Sequence, residues 1–284
     1  DPSELTFGNN GWWLDFEDSS DLGKDVSGKG NDWTSSGLIA SNQTTDSPTD
    51  SGTTIGNLAT WNPLNHGTMS FASLSEGNKK LDYTGTPGSN NSSGLTTIPF
   101  QDTGKFYAEI YIDTDESGRT FLGTVDVTTV NDANSQFYAI NTATSQGFYS
   151  RSNPGAHVYD ADDGKVYTGD DGGTAYGDTW TAGDVIGIYW NQGNVWFTKN
   201  ETLQNSASEA EVVANTTTNA AFTGLSDEFI TAGHCSDFTL RTDPADWSYT
   251  PFTGFVALCT ANLAAPTVTK PTDNFLPILY EGNG

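Results

Sequence analysis

Thirty-six acidic residues against eleven Lys plus Arg give this 284-residue chain a formal net charge of −25. A surface this acidic repels phosphates, which argues against nucleic-acid binding and against the anionic inner face of a membrane. Charged residues are nonetheless only 17% of the chain, and hydrophobic ones are 35%, with Trp 8, Tyr 11 and Phe 15. The chain can therefore bury an aromatic-heavy core rather than remain a charged, disordered polymer.

The length suits one large β domain or two modest ones. Asp1-Pro2-Ser3 offers no initiator Met, no charged n-region and no apolar h-region, so the start reads as internal or processed. No apolar run approaches the roughly 20 residues of a spanning helix. Cys235 and Cys259 either pair or stay as buried thiols, and the sequence does not choose between them. The sequons at Asn42, Asn90, Asn91, Asn200 and Asn215 follow from the Asn, Ser and Thr content and are read as chance.

Along the chain, short apolar-alternating runs separated by Gly, Asn and Asp predict strands almost throughout. An aromatic strand is expected at residues 12–16. Residues 105–113 show the cleanest alternation: Phe106, Ala108, Ile110 and Ile112 share one face, while Lys105, Glu109 and Asp113 share the other with Tyr107 and Tyr111. Strands follow at 120–125 and 136–141. A hairpin over Val158-Tyr159 and Val166-Tyr167 folds about Asp163-Gly164, and a second joins 184–191 to 194–200 through Gln192-Gly193. The helix-like stretch 208–214 is too short to organise anything by itself. Late strands are expected at 229–233 and 255–258. Many short strands with frequent turn signals predict an all-β fold, a two-sheet antiparallel sandwich. Three regions are read: a Gly/Asp/Ser/Thr-rich lead-in at 1–60 packing on the sandwich, the sandwich at 61–260, and at 261–284 a Pro-bearing linker leading to an apolar burst, residues 275–280, that opens a truncated segment.

Two resemblances sit on these elements. Gly183-Asp184-Val185-Ile186-Gly187-Ile188 followed by Val195-Trp196-Phe197-Thr198-Lys199-Asn200 resembles the core hairpin of SPRY domains. Lys105-Phe106-Tyr107-Ala108-Glu109-Ile110 is similar to that family's early strand, and Ala221-Phe222-Thr223-Gly224-Leu225 falls where its late strands begin. Glu201 stands where the family usually has Gly, which implies a modified turn. The resemblance implies a concanavalin-like (SPRY/jelly-roll) sandwich used for protein binding rather than catalysis. In the lead-in, Trp12-Trp13-Leu14-Asp15-Phe16 and Asp25-Val26-Ser27-Gly28-Lys29-Gly30-Asn31-Asp32-Trp33 look like the opening of laminin-G-like lectin modules. Together with Asp46-Ser47-Pro48-Thr49, Trp61-Asn62-Pro63-Leu64 and the stretch 252–266, the combination is similar to tail-fibre and other virion proteins of marine bacteriophages.

Three constellations are candidate sites. Thr231-Ala232-Gly233-His234-Cys235 looks like the histidine motif of chymotrypsin-like proteases, but no Gly-Asp-Ser-Gly nucleophile occurs anywhere, so it reads as a late strand. Asp160, Asp162 and Asp163, with Asp170 and Asp171, and separately Asp25 with Asn31 and Asp32, offer the clustered oxygens that Ca²⁺ takes; the EF-hand template fails, and solvated turns are the plainer reading. Tyr149, Arg151, His157 and Tyr159 lie close in sequence around Pro154-Gly155 and suit a sugar-binding face, although aromatics also fill any sandwich core. No carboxylate pair can be nominated for glycosidase chemistry from 36 acids.

The expectation is a non-catalytic virion module, extracellular on a phage particle, that needs no cofactor, though Ca²⁺ is chemically suited. Its expected partners are a host-surface glycan or protein and other virion proteins, with no nucleic acid and no membrane insertion, in a homo-oligomer such as a trimer. A secreted bacterial lectin module and a glycan-cleaving sandwich enzyme are the alternatives.

Overall fold

The computed structural model describes residues 4–43, 57–64, 72–84, 93–115, 120–126, 155–168, 172–233 and 235–264. In chain order the strands are β1 (Ala72–Ser75), β2 (Lys80–Tyr83), β3 (Ser93–Phe100), β4 (Lys105–Ile112), β5 (Phe121–Asp126), β6 (Ala156–Asp160), β7 (Lys165–Tyr167) and β8 (Thr174–Ala175). After these come β9 (Val185–Asn191), β10 (Asn194–Lys199), β11 (Thr202–Leu203), the helix α1 (Glu209–Ala214), β12 (Glu228–Gly233), β13 (Phe238–Arg241) and β14 (Val256–Ala257). Two sheets result. An eight-stranded sheet runs β1-β2-β13-β4-β9-β10-β11, with β14 added parallel to β4, and a six-stranded sheet runs β3-β12-β5-β6-β7-β8. Every other pairing is antiparallel. The fold is the two-sheet antiparallel sandwich that the alternation predicts.

The inner faces close one core. Phe106, Ala108, Ile110 and Ile112 of β4 meet Ile186, Ile188 and Trp190 of β9, and across the sandwich they face Phe100, Leu122, Tyr159, Ile230 and Ala232. Trp61, Trp180 and Phe222 enter from loops. Trp190 is fully buried, stacks on Phe100 at 5.2 Å and donates its Nε1–H to Gln101 O at 2.7 Å. Leu58 and Trp61 bridge to Cys259 and Thr96, so the sandwich gathers chain from before residue 61. Both cysteines are buried, and they are not joined to each other by a disulfide.

The outer face of the eight-stranded sheet is covered as well as the inner one. All seven residues of β9 are buried, because α1 and the stretch 247–255 cover that face. Val212 of α1, Phe255, Phe252 and Trp247 pack on Tyr107, Tyr189 and Trp196. The short helix therefore organises more than its length suggests. Ser208 caps its N-terminus in a capping box with Glu211, Asn215 ends it in a left-handed conformation, and Asn191 and Lys105 donate to the carbonyls of Val212 and Val213.

In the lead-in, residues 12–16 form no strand. The amide of Trp13 is taken by the Asp25 carboxylate at 2.9 Å, and Phe16 has a φ of 58°, so this stretch cannot continue a ladder. The predicted strand at 136–141 and the apolar burst at 275–280 lie outside the described residues. Among the described residues, no helix is long and apolar enough to cross a membrane.

Candidate functional site

An open cleft of about 490 Å³ lies where the last hairpin of the six-stranded sheet meets the end of the eight-stranded sheet. Its lining comes from three stretches of chain: the Asp163-Gly164 turn between β6 and β7, residues 175–178 from the end of β8, and residues 202–206 from β11 onward. Gly164 sits at φ 65°, and a Cβ there would meet Gly177 O at 2.2 Å, so only glycine lets these two stretches close on each other. The amides of Tyr176 and Gly177 then donate to Gly164 O at 3.2 and 2.9 Å.

The wall is held from behind by buried polar groups. Gln204, 4% exposed, accepts from the Asp178 amide at 2.8 Å and donates to Thr202 O at 2.9 Å. Tyr159 donates its hydroxyl to Asp178 O, and Tyr176 accepts from the Phe197 amide at 3.1 Å. Burial pushes both phenols well above their ordinary range, so both stay protonated. In front of this frame stand the exposed carboxylates of Asp163 and Asp178, the Ser206 hydroxyl and the half-buried Asn205 amide. Asn205 and Ser206 occupy left-handed φ values of 55° and 59°, which turn the chain sharply at the rim. The result is a pre-formed, acidic, hydrogen-bonding cleft suited to a neutral hydroxylated or basic ligand and unsuited to an anionic one.

Of the four residues read as a sugar-binding face, the two described do not form one. Tyr159 is wholly buried, packed against Phe197, Tyr176 and Trp180, because it points inward from β6. Its contribution to the cleft is its hydroxyl, from behind. His157 lies on the same inner face at the end of the sandwich, edge-on to Phe222 at 5.3 Å, with Nδ1 2.8 Å from Glu228 Oε1. Tyr149 and Arg151 lie outside the described residues.

Glu228, 1% exposed, also accepts from the Thr124 hydroxyl. Burial raises its carboxyl pKa above the ordinary 4.5, against the opposing pull of His157 and Thr124. Because the folded pKa lies above the unfolded one, this group's contribution to stability is full below about pH 4.5 and is lost as the pH rises through the folded value. Glu228→Gln keeps the shape and one acceptor oxygen but cannot ionise. Its urea midpoint should therefore gain on wild type as the pH is raised from roughly 4 to 8, and a constant difference would refute the assignment.

The residues read as Ca²⁺ ligands come together only in part. Asp160 is buried on β6 and accepts from the Asp162 amide at 3.0 Å, whereas Asp162 is exposed. Asp163 accepts from the Lys165 amide and, at 2.6 Å, from the Tyr167 hydroxyl. Asp170, Asp171 and the His234 of the protease-like motif lie outside the described residues, while the preceding residues of that motif form central β12. Asp25, Asn31 and Asp32 do converge, but as a knot of N–H donors rather than an oxygen cage. Asp25 Oδ1 accepts from Trp13 and Ser27, Oδ2 accepts from Asn31, and Asp32 Oδ1 accepts from the Asp25 amide. The Asn31 side-chain amide donates to Asn9 O and Gly11 O. Burial disfavours the Asp25 anion, yet these donors outweigh it and hold its pKa well below the carboxylate range. Among the described residues, no group of three His, Cys, Asp or Glu side chains is placed to hold a metal ion.

The cleft itself was not legible in the sequence. Asp163 was singled out there for another reason, while Tyr176, Asp178, Gln204 and Ser206 carry no local signal, since they meet only through sheet packing.

No protein-family model and no curated protein matches the chain. Among solved structures it is similar to a human SPRY domain, at 19% identity over 61% of this chain and 95% of that one, with a TM-score of 0.44. It is also similar to the SPRY domain of human HERC1, at 14% identity over 64% and 96% of the two chains, with a TM-score of 0.43.

Proposed function

We propose that this chain is a non-catalytic binding module on the surface of a bacteriophage particle, a fibre or other exposed virion component, that attaches to a neutral host-surface glycan or protein. The observation that carries the binding reading is the pre-formed cleft, with Asp163, Asp178, Asn205 and Ser206 in front of a hydrogen-bonded frame. Such a frame places polar groups before a ligand arrives, which lowers the ordering cost of binding. The virion setting is supported by the likeness of the lead-in, and of its combination with the SPRY-like hairpin, to marine phage proteins.

Glycan-array screening of the full chain followed by calorimetry tests the binding reading. Asp178→Ala combined with Ser206→Ala should weaken the best ligand at least about tenfold without changing thermal stability, as the loss of two hydrogen bonds would. Because Asp25 and Asp163 already accept from N–H and O–H donors, EDTA should leave the affinity unchanged. Binding that ignores the double substitution would move the site elsewhere, and release of reducing sugar from a polysaccharide would replace the reading with an enzyme. Antibody labelling of purified particles tests the virion setting separately.

A further inference from the structure

The cleft is lined by an edge strand of each sheet. β8 ends the six-stranded sheet and β11 the eight-stranded one, and among the described residues neither has a strand on its outer side. Register fixes which backbone groups this leaves over, because hydrogen-bonded and non-hydrogen-bonded residue pairs alternate along an antiparallel ladder. Tyr176 N donates to Gly164 O at 3.2 Å, so the next pair, Lys165 with Ala175, is of the second kind. The N–H and C=O of Ala175 therefore point away from β7. Gln204 N donates to Phe197 O at 3.0 Å, so Leu203, paired with Thr198, likewise turns its N–H and C=O away from β10. Ala175 and Leu203 both line the cleft.

Neither edge is blunted. Sheet edges are commonly protected by Lys, Pro or a bulge, whereas β8 is Thr174-Ala175 and β11 is Thr202-Leu203. Gly177 adds bare backbone to the lining, since a Cβ there would meet Gln204 Oε1 at 2.6 Å and the Tyr159 hydroxyl at 2.7 Å. The charge of the lining has one sign: among the described residues it includes the exposed Asp163 and Asp178 and no Lys or Arg. Asp178 is clamped on both sides, its N–H on Gln204 and its C=O on the Tyr159 hydroxyl, so its carboxylate is placed before a ligand arrives. Lys165, 3.7 Å from Asp163, offsets part of that charge, and exposed Glu201 beside β11 adds to it.

We propose that the cleft takes an extended, Lys- or Arg-bearing segment of a partner protein, added as a strand along β8. The proposal rests on the binding reading above and narrows its ligand to a peptide. Ala175 offers the incoming backbone one donor and one acceptor, Leu203 offers the same from the other sheet, and alternate side chains carry cations to Asp163 and Asp178. A glycan hydroxyl also bonds a carboxylate, but a donor and an acceptor spaced as in an antiparallel ladder match a peptide backbone. The chain's net charge of −25 draws such a segment in, and salt weakens that attraction.

Fluorescence anisotropy of a labelled peptide alternating Thr with Arg, titrated with the full chain at about 0.05 M salt, tests this. The Arg peptide should bind and its Glu-for-Arg counterpart should not. Raising the salt to about 0.5 M should weaken binding at least about tenfold. Methylating either the Thr or the Arg backbone nitrogens keeps the charge, and only one of these sets faces β8. One methylated peptide should therefore bind at least about tenfold more weakly than the other. Ala175→Pro removes the outward N–H of β8 and spares its bonds to β7, so it should weaken binding about five- to tenfold. Asp178→Lys should abolish binding. The methylated peptides keep the question decidable if Ala175→Pro disturbs the hairpin. No binding of the Arg peptide, equal binding of the two methylated forms, or binding that ignores Asp178→Lys overturns the proposal. A glycan that binds, and is lost with Asp178→Ala and Ser206→Ala while no peptide binds, overturns the peptide but keeps the cleft as the site. If neither glycan nor peptide binds, both readings fall.

Discussion

Replacing Glu109 by alanine should lower the unfolding free energy by about 3 kcal/mol, read as a shift in the urea midpoint at constant slope. Glu109 is completely buried in the middle of β4, on the outer face of the eight-stranded sheet. Its two oxygens accept from the Ser248 amide at 2.7 Å, the Tyr249 amide at 2.9 Å and the Tyr107 hydroxyl at 2.9 Å, with Arg241 Nη1 at 3.6 Å. One carboxylate thus pins the stretch 247–255 over Tyr107 and Tyr189. Its removal leaves the buried Tyr107 hydroxyl and two part-buried amides without an acceptor, and the desolvated hydroxyl carries most of the cost. Glu109→Gln fills the volume but turns an N–H toward donors, so it should recover only part of the loss. A change below about 1 kcal/mol for the alanine variant would mean that this stretch is held by its aromatics alone. Tyr189 stacked on Phe252 at 4.5 Å and edge-on to Phe255 at 4.9 Å are the contacts that would then carry it.

Trp190→Ala should cost about 3–5 kcal/mol, the range for truncating a buried aromatic, and should leave a core that binds a hydrophobic dye at neutral pH. Trp190 reports on both sheets at once: it belongs to β9, stacks on Phe100 of β3 and bonds to Gln101 O in the turn that carries the chain from one sheet to the other. Its loss removes packing and one hydrogen bond, and because the indole spans the layer interface the cavity cannot close by movement of a single strand. Trp190→Phe should recover most of the packing and none of the hydrogen bond. The difference between the two variants, measured by calorimetry, separates those contributions.

Much of the sandwich was legible because its signals are local. The inner face of β4 reads directly from Phe106, Ala108, Ile110 and Ile112. The β9–β10 hairpin follows from Gln192-Gly193, whose φ values of 51° and 80° are those of a turn closed by two left-handed residues. The β6–β7 hairpin pairs Val158 with Tyr167 and Tyr159 with Val166 about the expected Asp163-Gly164 turn. What could not be read was which of the acidic and aromatic residues meet water. Tyr159 was weighed for a sugar-binding face as well as for the core and is in the core; Asp25 was weighed as a metal ligand and is a hydrogen-bond acceptor for its own loop.

The net charge with which the sequence opens sharpens in the same way. Among the described residues most of the carboxylates keep a solvated surface, yet Glu109, Asp160 and Glu228 are fully or almost fully buried, and the partners of Glu109 and Glu228 lie as much as 140 residues away. By itself the sequence determined the strands, their turns and the inner face of each alternating run, since those follow from a period of two and from backbone torsions at single residues. Only the tertiary structure decided what lies on the other face. Alternation distinguishes two sides of a strand but says nothing of the segment that will cover the second one, and that segment here, α1 with the stretch 247–255, is placed by contacts across the whole chain.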